Sequence, residues 1–363
     1  MRRTVPLEGT ERSKYLTPFL AHLAEEVRTL KDDMDAMIEQ FPSLLRDDVV
    51  PRYILDTARA LCDDGIMGIC LGGMGGSSIA GEICRALLLD ISPIPILSVR
   101  DYFLPNSVTD NWVCIVTSYS GNTEETLSVL SDAQTRNAHV FAVTTGGKLA
   151  QQVDRSELIT IEAGLQPRAA LPLIFSAEYS LLLTLVGQPR LDFQTVAETL
   201  KSARERWRQS EGIVSPDSVA RQIRNAIPMF VGARHLAPVA YRAKCQVNEN
   251  AKSLAMFAEL PEMDHNEIEG SGRYGAHRVV PVFLRSRSED ERMRRRIEAT
   301  ISVLREEGAT VLEVPSLGPD PVTEALGAVL YCDEVSLLLA RLLSINATEV
   351  ARIGRLKEIM RGA

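Results

Sequence analysis

Short apolar runs alternate with amphipathic stretches through most of the chain. From residue 66 onward "IMGICL", "IPILSV", "WVCIVT", "HVFAVT" and "LITIEA" are rich in β-branched residues, and helical periodicity fills most of the gaps between them. Strands alternating with helices predict parallel pairing through βαβ units, hence an α/β fold. The same texture returns later, with "NAIPMFVGA", "RVVPVFLR" and "ATVLEVPS" as strands. Between the two halves "LDFQTVAETLKSARERWRQSEG" predicts a charged helix ending near Gly212, and "SPDS" marks a join between residues 190 and 215. The chain is therefore divided into a helical extension over 1–50, a first α/β domain over 51–200, and a second over 201–363 that ends in helices.

Leu20, Leu23, Val27, Leu30, Met34 and Met37 step by three and four, which predicts an amphipathic N-terminal helix. Pro42 breaks it, and "VVPRYI" starts another. The longest apolar stretch, "LPLIFSAEYSLLLTLVG", is short for a membrane span, which needs roughly 20 apolar residues, and it carries Glu178. A helix buried in a core or a subunit interface fits it better. "PVTEALGAVLYCDEVSLLLARLL" and "EVARIGRLKEIM" predict the final helices.

Composition narrows the function. Hydrophobic content of 45% and charged content of 24% are those of a soluble globular protein. A net charge of −8 argues against a nucleic-acid surface. Two arginines open the chain without an apolar segment behind them, so no secretory signal is expected. Cys62, Cys70, Cys84, Cys114, Cys245 and Cys332 form no C-x-x-C pair, and several lie in apolar runs. Reduced thiols in a cytoplasmic protein are the expectation.

Candidate chemistry begins at two strand-to-helix turns. In "SYSGNTEETL", Ser118, Ser120 and Thr123 follow an apolar strand and precede a helix, with Gly121 free to take any backbone conformation. Hydroxyls at a helix N-terminus suit an anion, because unpaired N–H groups and the helix dipole both favour negative charge. Asn122 and Glu125 also have the spacing of a capping box. The plain alternative is a turn built from common turn-formers. The second turn, "GICLGGMGGSSIAGEI", adds Gly76 and Ser77. Its Gly73-x-Gly75-x-x-Ser78 spacing lacks the third glycine of a dinucleotide fingerprint, and no P-loop is present. Together the two turns suit one small phosphomonoester, and they resemble the sugar isomerase (SIS) domain, in which such turns bind a sugar phosphate.

"YRAKCQVNENAK" places Glu249 on a helix-like run, and "DHNEI" places His265 in a loop. From the residues alone Glu249 reads as a helix-surface charge, and His265 as a loop-packing residue. With "FPSLLRD", "TTGGKLA", "GLQPRAALP" and "IGRLKEIM", the chain resembles the bifunctional phosphoglucose/phosphomannose isomerase family over most of its length. The resemblance implies two SIS domains, each a mostly parallel sheet flanked by helices. It implies interconversion of glucose 6-phosphate and fructose 6-phosphate, extended to mannose 6-phosphate, through a cis-enediol(ate). Ser77, Ser118, Ser120 and Thr123, with Gly76, would bind the phosphate. Glu249 would shuttle the proton and Arg168 would stabilise the enediolate oxygen. His265, from the neighbouring subunit of a homodimer, would open the ring with Lys357.

No cofactor, metal, nucleic acid or membrane is implied. Arg352, Arg355 and Arg361 are equally basic neighbours of Lys357, which makes its assignment the least determined. "SGRYGAH" departs from the family pattern and is expected to form a loop in which His277 is decoration. Two rivals stay open: a sugar-phosphate sensor without turnover, and an isomerase for another phosphosugar.

Overall fold

The apolar runs become two parallel sheets in a computed structural model that describes residues 33–210 and 214–362. β1 (Gly68–Gly73), β2 (Ile96–Val99), β3 (Trp112–Thr117), β4 (His139–Thr144) and β5 (Leu158–Thr160) pair in the order β2-β1-β3-β4-β5. β6 (Ile227–Ala233), β7 (Met256–Leu260), β8 (Val279–Leu284) and β9 (Leu312–Val314) pair in the order β7-β6-β8-β9. Every neighbouring pair is parallel. All residues of β1, β3 and β8 are buried, as strands covered on both faces must be.

Helices α1 (Met34–Glu39), α2 (Arg52–Asp64), α3 (Gly75–Leu88), α4 (Glu124–Thr135), α5 (Gly147–Gln151) and α6 (Leu171–Leu185) accompany the first sheet. Next come α7 (Phe193–Arg208), α8 (Pro216–Ile223), α9 (Ala237–Asn250), α10 (Tyr274–His277), α11 (Glu291–Glu306), α12 (Pro321–Leu342) and α13 (Ala351–Gly362). One apolar cluster runs through both halves, from Ile79 and Phe175 to Val239, Leu326 and Tyr331. Each sheet has a second cluster on its other face, around Cys114 and Leu130 in one half and Phe283 and Ile301 in the other.

Leu20, Leu23, Val27 and Leu30, which carry the expected N-terminal helix, lie outside the described residues. Met34 and Met37 are buried in α1. The pattern predicts no strand at β7, because this edge strand leaves Met256 and Glu259 exposed and lacks a continuous apolar run. The segment expected to be a loop at "SGRYGAH" is instead a 3-10 turn, Glu267–Arg273, followed by α10. Ser271 and Tyr274 are buried there, and the Tyr274 hydroxyl donates to the Glu267 carbonyl.

The apolar stretch read as a buried helix is α6, and every one of its residues is buried. It packs against α2 and α3, and no described helix is long and apolar enough to cross a membrane. Glu178 sits in the middle of α6, fully enclosed. One carboxyl oxygen accepts the Thr117 hydroxyl at 2.6 Å, and the other has no hydrogen-bond partner. Burial pushes this carboxyl up from 4.5 to about 8, against the smaller opposing effect of the Thr117 hydrogen bond.

A raised acid stabilises the fold most below its unfolded value, and that contribution is lost as the pH rises through the folded one. Glu178→Gln should therefore match wild type near pH 5 and gain in melting temperature relative to it toward about pH 9. Parallel melting curves across that range would show that Glu178 ionises as freely in the folded protein as in the unfolded one.

Candidate active site

Two strand ends meet where β1 and β3 lie side by side. β1 runs into α3 through Met74, and β3 runs into α4 through Ser118–Thr123. Gly73 allows the strands this closeness, since a Cβ there would stand 2.9 Å from the Thr117 carbonyl oxygen. The Tyr119 N–H donates to Ser77 Oγ at 3.3 Å, so the two turns are tied directly. Ser118 Oγ and Thr123 Oγ1 lie 2.9 Å apart, and Ser120 Oγ accepts the Asn122 N–H. Ser77 and Ser118 are buried, whereas Ser120 is exposed at the rim. Because Ser77 and Ser120 act as acceptors toward backbone amides, their own O–H groups remain available to donate to an anion.

The expected capping box does not form. Thr123, not Asn122, is the N-cap of α4, and neither α3 nor α4 receives a side-chain cap. Asn122 turns outward instead: its amide donates to the Ser120 carbonyl and its oxygen accepts the Lys148 N–H. This joins "SYSGNT" to "TTGG", a second signal present in the sequence. Gly121 has φ +65°, and a Cβ there would fall 1.8 Å from the Gly146 carbonyl oxygen. The two turns interlock through glycine backbones, and the first-turn N–H groups of α3 and α4 have no side-chain cap.

The loop after β5 carries the next component. The Tyr119 hydroxyl donates to the Glu162 carbonyl and accepts the Leu165 N–H, which anchors this loop to the β3 turn. Gly76 closes the other side, since a Cβ there would lie 3.1 Å from the Pro167 carbonyl oxygen and 3.3 Å from Arg168 Cα. Arg168 thus emerges beside the hydroxyl cluster. Its guanidinium donates to Asn250 Oδ1 at 2.8 Å and to the carbonyls of Ala347 and Thr348. Its Nη1 stands 4.0 Å from Glu249 Oε2. Burial draws this guanidinium below its ordinary value, while Glu249 opposes the shift.

Beneath Arg168 a buried polar row crosses between α9 and α12. Arg242 donates to the Arg168 carbonyl and to Asp333, Gln246 donates to Asp333, and Asn250 donates to Ser336. Asp333, Gln246 and Asn250 are almost wholly buried, and they hold the end of α9 on which Glu249 sits. Glu249 is partly exposed, with 32% of its side chain accessible.

The structure brings Gly76, Ser77, Ser118, Ser120, Thr123, Arg168 and Glu249 into one region. His265 and Lys357 are exposed, and neither side chain makes a hydrogen bond or ion pair among the described residues, so no contact ties either of them to this region. Lys252 was missed by sequence reasoning. It has φ +51°, and its ammonium donates to the carbonyls of Glu249 and Asn346 at 2.7 Å. Burial, then the neighbouring Arg168 charge, lower its proton affinity. The only prior signal for Lys252 was its place in "NENAK". Among the described residues, no group of three or more His, Cys, Asp or Glu side chains is arranged to hold a metal ion.

Residues 215–360 match the bacterial phospho-glucose isomerase C-terminal SIS domain. A bifunctional phosphoglucose/phosphomannose isomerase of Caldicellulosiruptor bescii is 35% identical over 80% of this chain and 88% of its own. A D-glucosamine-6-phosphate 4-epimerase of Sulfolobus acidocaldarius is 30% identical over 79% of this chain and 87% of its own. The fold is shared with a hypothetical protein of Thermus thermophilus, at a TM-score of 0.69 and 16% identity, over 98% of this chain and 97% of that one. With these relatives, two parallel sheets and a hydroxyl-lined pair of turns beside a glutamate and an arginine, the chain belongs to the bifunctional phosphoglucose/phosphomannose isomerase family.

Proposed function

We propose that this chain interconverts glucose 6-phosphate and fructose 6-phosphate, and mannose 6-phosphate and fructose 6-phosphate, by proton transfer through a cis-enediol(ate). One observation carries the reading: Arg168 abuts the Gly76 turn and also approaches Glu249 at 4.0 Å. A sugar phosphate seated on the two turns would therefore extend toward a carboxylate and a fixed cation. Gly76 supplies backbone, and Ser77, Ser118, Ser120 and Thr123 supply donors to the phosphate. Glu249 moves the proton between C1 and C2, a role for which a partly exposed carboxylate is accessible. Arg168 stabilises the developing oxyanion, a task suited to a guanidinium already held by Asn250 and two carbonyls.

Ring opening is assigned to His265 of a second copy in a homodimer, with Lys357 close to it. The exposure of both residues supports this. So does α13, whose Ile353, Leu356, Ile359 and Met360 are about half exposed. Six free cysteines fit a cytoplasmic enzyme.

The direct test is a coupled assay on fructose 6-phosphate with chelator present, following glucose 6-phosphate and mannose 6-phosphate separately. Formation of both is the expected result. Formation of neither, with fructose 6-phosphate still bound, would point to a sensor. Epimerisation of glucosamine 6-phosphate in that case would assign the site to the chemistry named for the Sulfolobus relative.

Glu249→Gln should bind substrate nearly as wild type does while kcat falls about 10²–10⁴-fold. An unchanged kcat would remove Glu249 from the proton transfer. Ser120→Ala should act mainly on KM, raising it through the loss of one charge-assisted donor. If KM is unaltered, the phosphate does not sit on this turn.

A further inference from the structure

The second sheet repeats the first in its strand order. β6 takes the place of β1, with β7 beside it as β2 stands beside β1, and β8 and β9 follow as β3 and β4 do. Its strand-to-helix turns therefore meet in the same way. In the first half the hydroxyls of the meeting turns bond one another or backbone amides. In the second half they converge on a carboxylate of the chain itself.

Glu324, in the first turn of α12, is 1% exposed. His235, from the turn after β6, lies 3.1 Å from its Oε2, which also accepts the Ser286 hydroxyl from the turn after β8. Its Oε1 accepts the Arg287 N–H at 2.7 Å and the Ser316 hydroxyl, from the loop after β9, at 2.6 Å. His235, Ser286 and Arg287 come from turns equivalent to the two that build the hydroxyl cluster of the first half, and Ser316 from the equivalent of the loop after β4 that interlocks with them.

We propose that the second half is a phosphate cradle of the same design, closed by the Glu324 carboxylate, so that each chain offers one phosphate site and holds a second one plugged. The assignment of phosphate to the first half rests on the function proposed above. The plug itself rests on Glu324 and its partners. Burial opposes ionisation of this carboxyl, yet the hydrogen bonds from His235, Ser286, Ser316 and Arg287 hold it down at about 2. Four groups converging on one buried carboxylate make a site shaped for an anion. The cavity left beside these turns is about 10 Å³, room for about one water and not for a phosphoryl group. Removing the carboxylate vacates the centre of the cradle and leaves its donors in place.

The test compares wild type, Glu324→Gln and Glu324→Ala by thermal melting, with inorganic phosphate titrated against chloride at constant ionic strength. Glu324→Gln keeps the shape and removes the charge, and should melt several degrees lower at neutral pH. Glu324→Ala should melt lower still and recover much of the loss in about 50 mM phosphate, a ligand-linked shift larger than that of wild type. The extra response should persist when Ser120→Ala is added, because it arises in the other half.

If Glu324→Ala does not fold alone, recovery of folded protein by refolding in phosphate but not in chloride supports the plug, and recovery in neither overturns it. A Glu324→Gln protein as stable as wild type would overturn it as well, as would a Glu324→Ala protein no more responsive to phosphate than wild type. A wild-type protein indifferent to phosphate, beside a responsive Glu324→Ala, would leave the plug standing and remove phosphate from the first cradle.

Discussion

The buried polar row between α9 and α12 is the constraint on which the site depends. Arg242 and Asp333 form an ion pair inside the apolar cluster common to both halves. Arg242 spends a second donor on the backbone carbonyl of Arg168. Such a pair contributes little net stability over an apolar replacement, but stranding one member typically costs about 3–5 kcal/mol. Its value here is positional. The first half supplies the loop bearing Arg168, the second supplies the helix bearing Glu249, and Arg242, held by Asp333, fixes one against the other through its hydrogen bond to the Arg168 carbonyl. Without it the backbone of the Arg168 loop would lose its tie to α9, and the spacing would rest on the Arg168 side chain's own contacts with Asn250 and Glu249 and on apolar packing.

The same frame carries two similar halves whose meeting turns are filled differently. Both have parallel strands in the same order and turns that meet at the strand ends. In one, the meeting turns carry small hydroxyl residues, and glycines at 73, 76 and 121 let backbone approach backbone. In the other, histidine, serine and a buried glutamate satisfy one another. Topology decides where a ligand site can lie, and the charge placed within it decides whether a ligand enters.

Much of the fold was legible because its signals are local. β3 and β4 coincide with the apolar runs "WVCIVT" and "HVFAVT", and α6 with the stretch of continuous hydrophobicity. β7 was not legible, because an edge strand half in solvent lacks such a run. The hydroxyls at Ser118, Ser120 and Thr123 could be read from the turn they build. The capping box could not be assigned correctly, because Asn122 is claimed by Ser120 and Lys148, the latter 26 residues away. Lys252 escaped notice for a similar reason: its carbonyl partners include Asn346, far along the chain. Contacts set by long-range packing leave little trace in local pattern. Glu249 and Arg168 were found through family resemblance rather than residue periodicity.

Arg242, Gln246 and Asn250 stand one turn apart along α9, and their side chains shorten from arginine to glutamine to asparagine. Each reaches a partner suited to its length: Arg242 and Gln246 share the carboxylate of Asp333, and Asn250 meets the hydroxyl of Ser336. The row works like the graded cuts of a key. A slide of α9 by one turn, about 5.4 Å, would set glutamine where arginine belongs and leave the buried Asp333 charge without its cation. The helix that carries Glu249 therefore has a single axial register, set by three side chains of graded reach that meet their partners on α12.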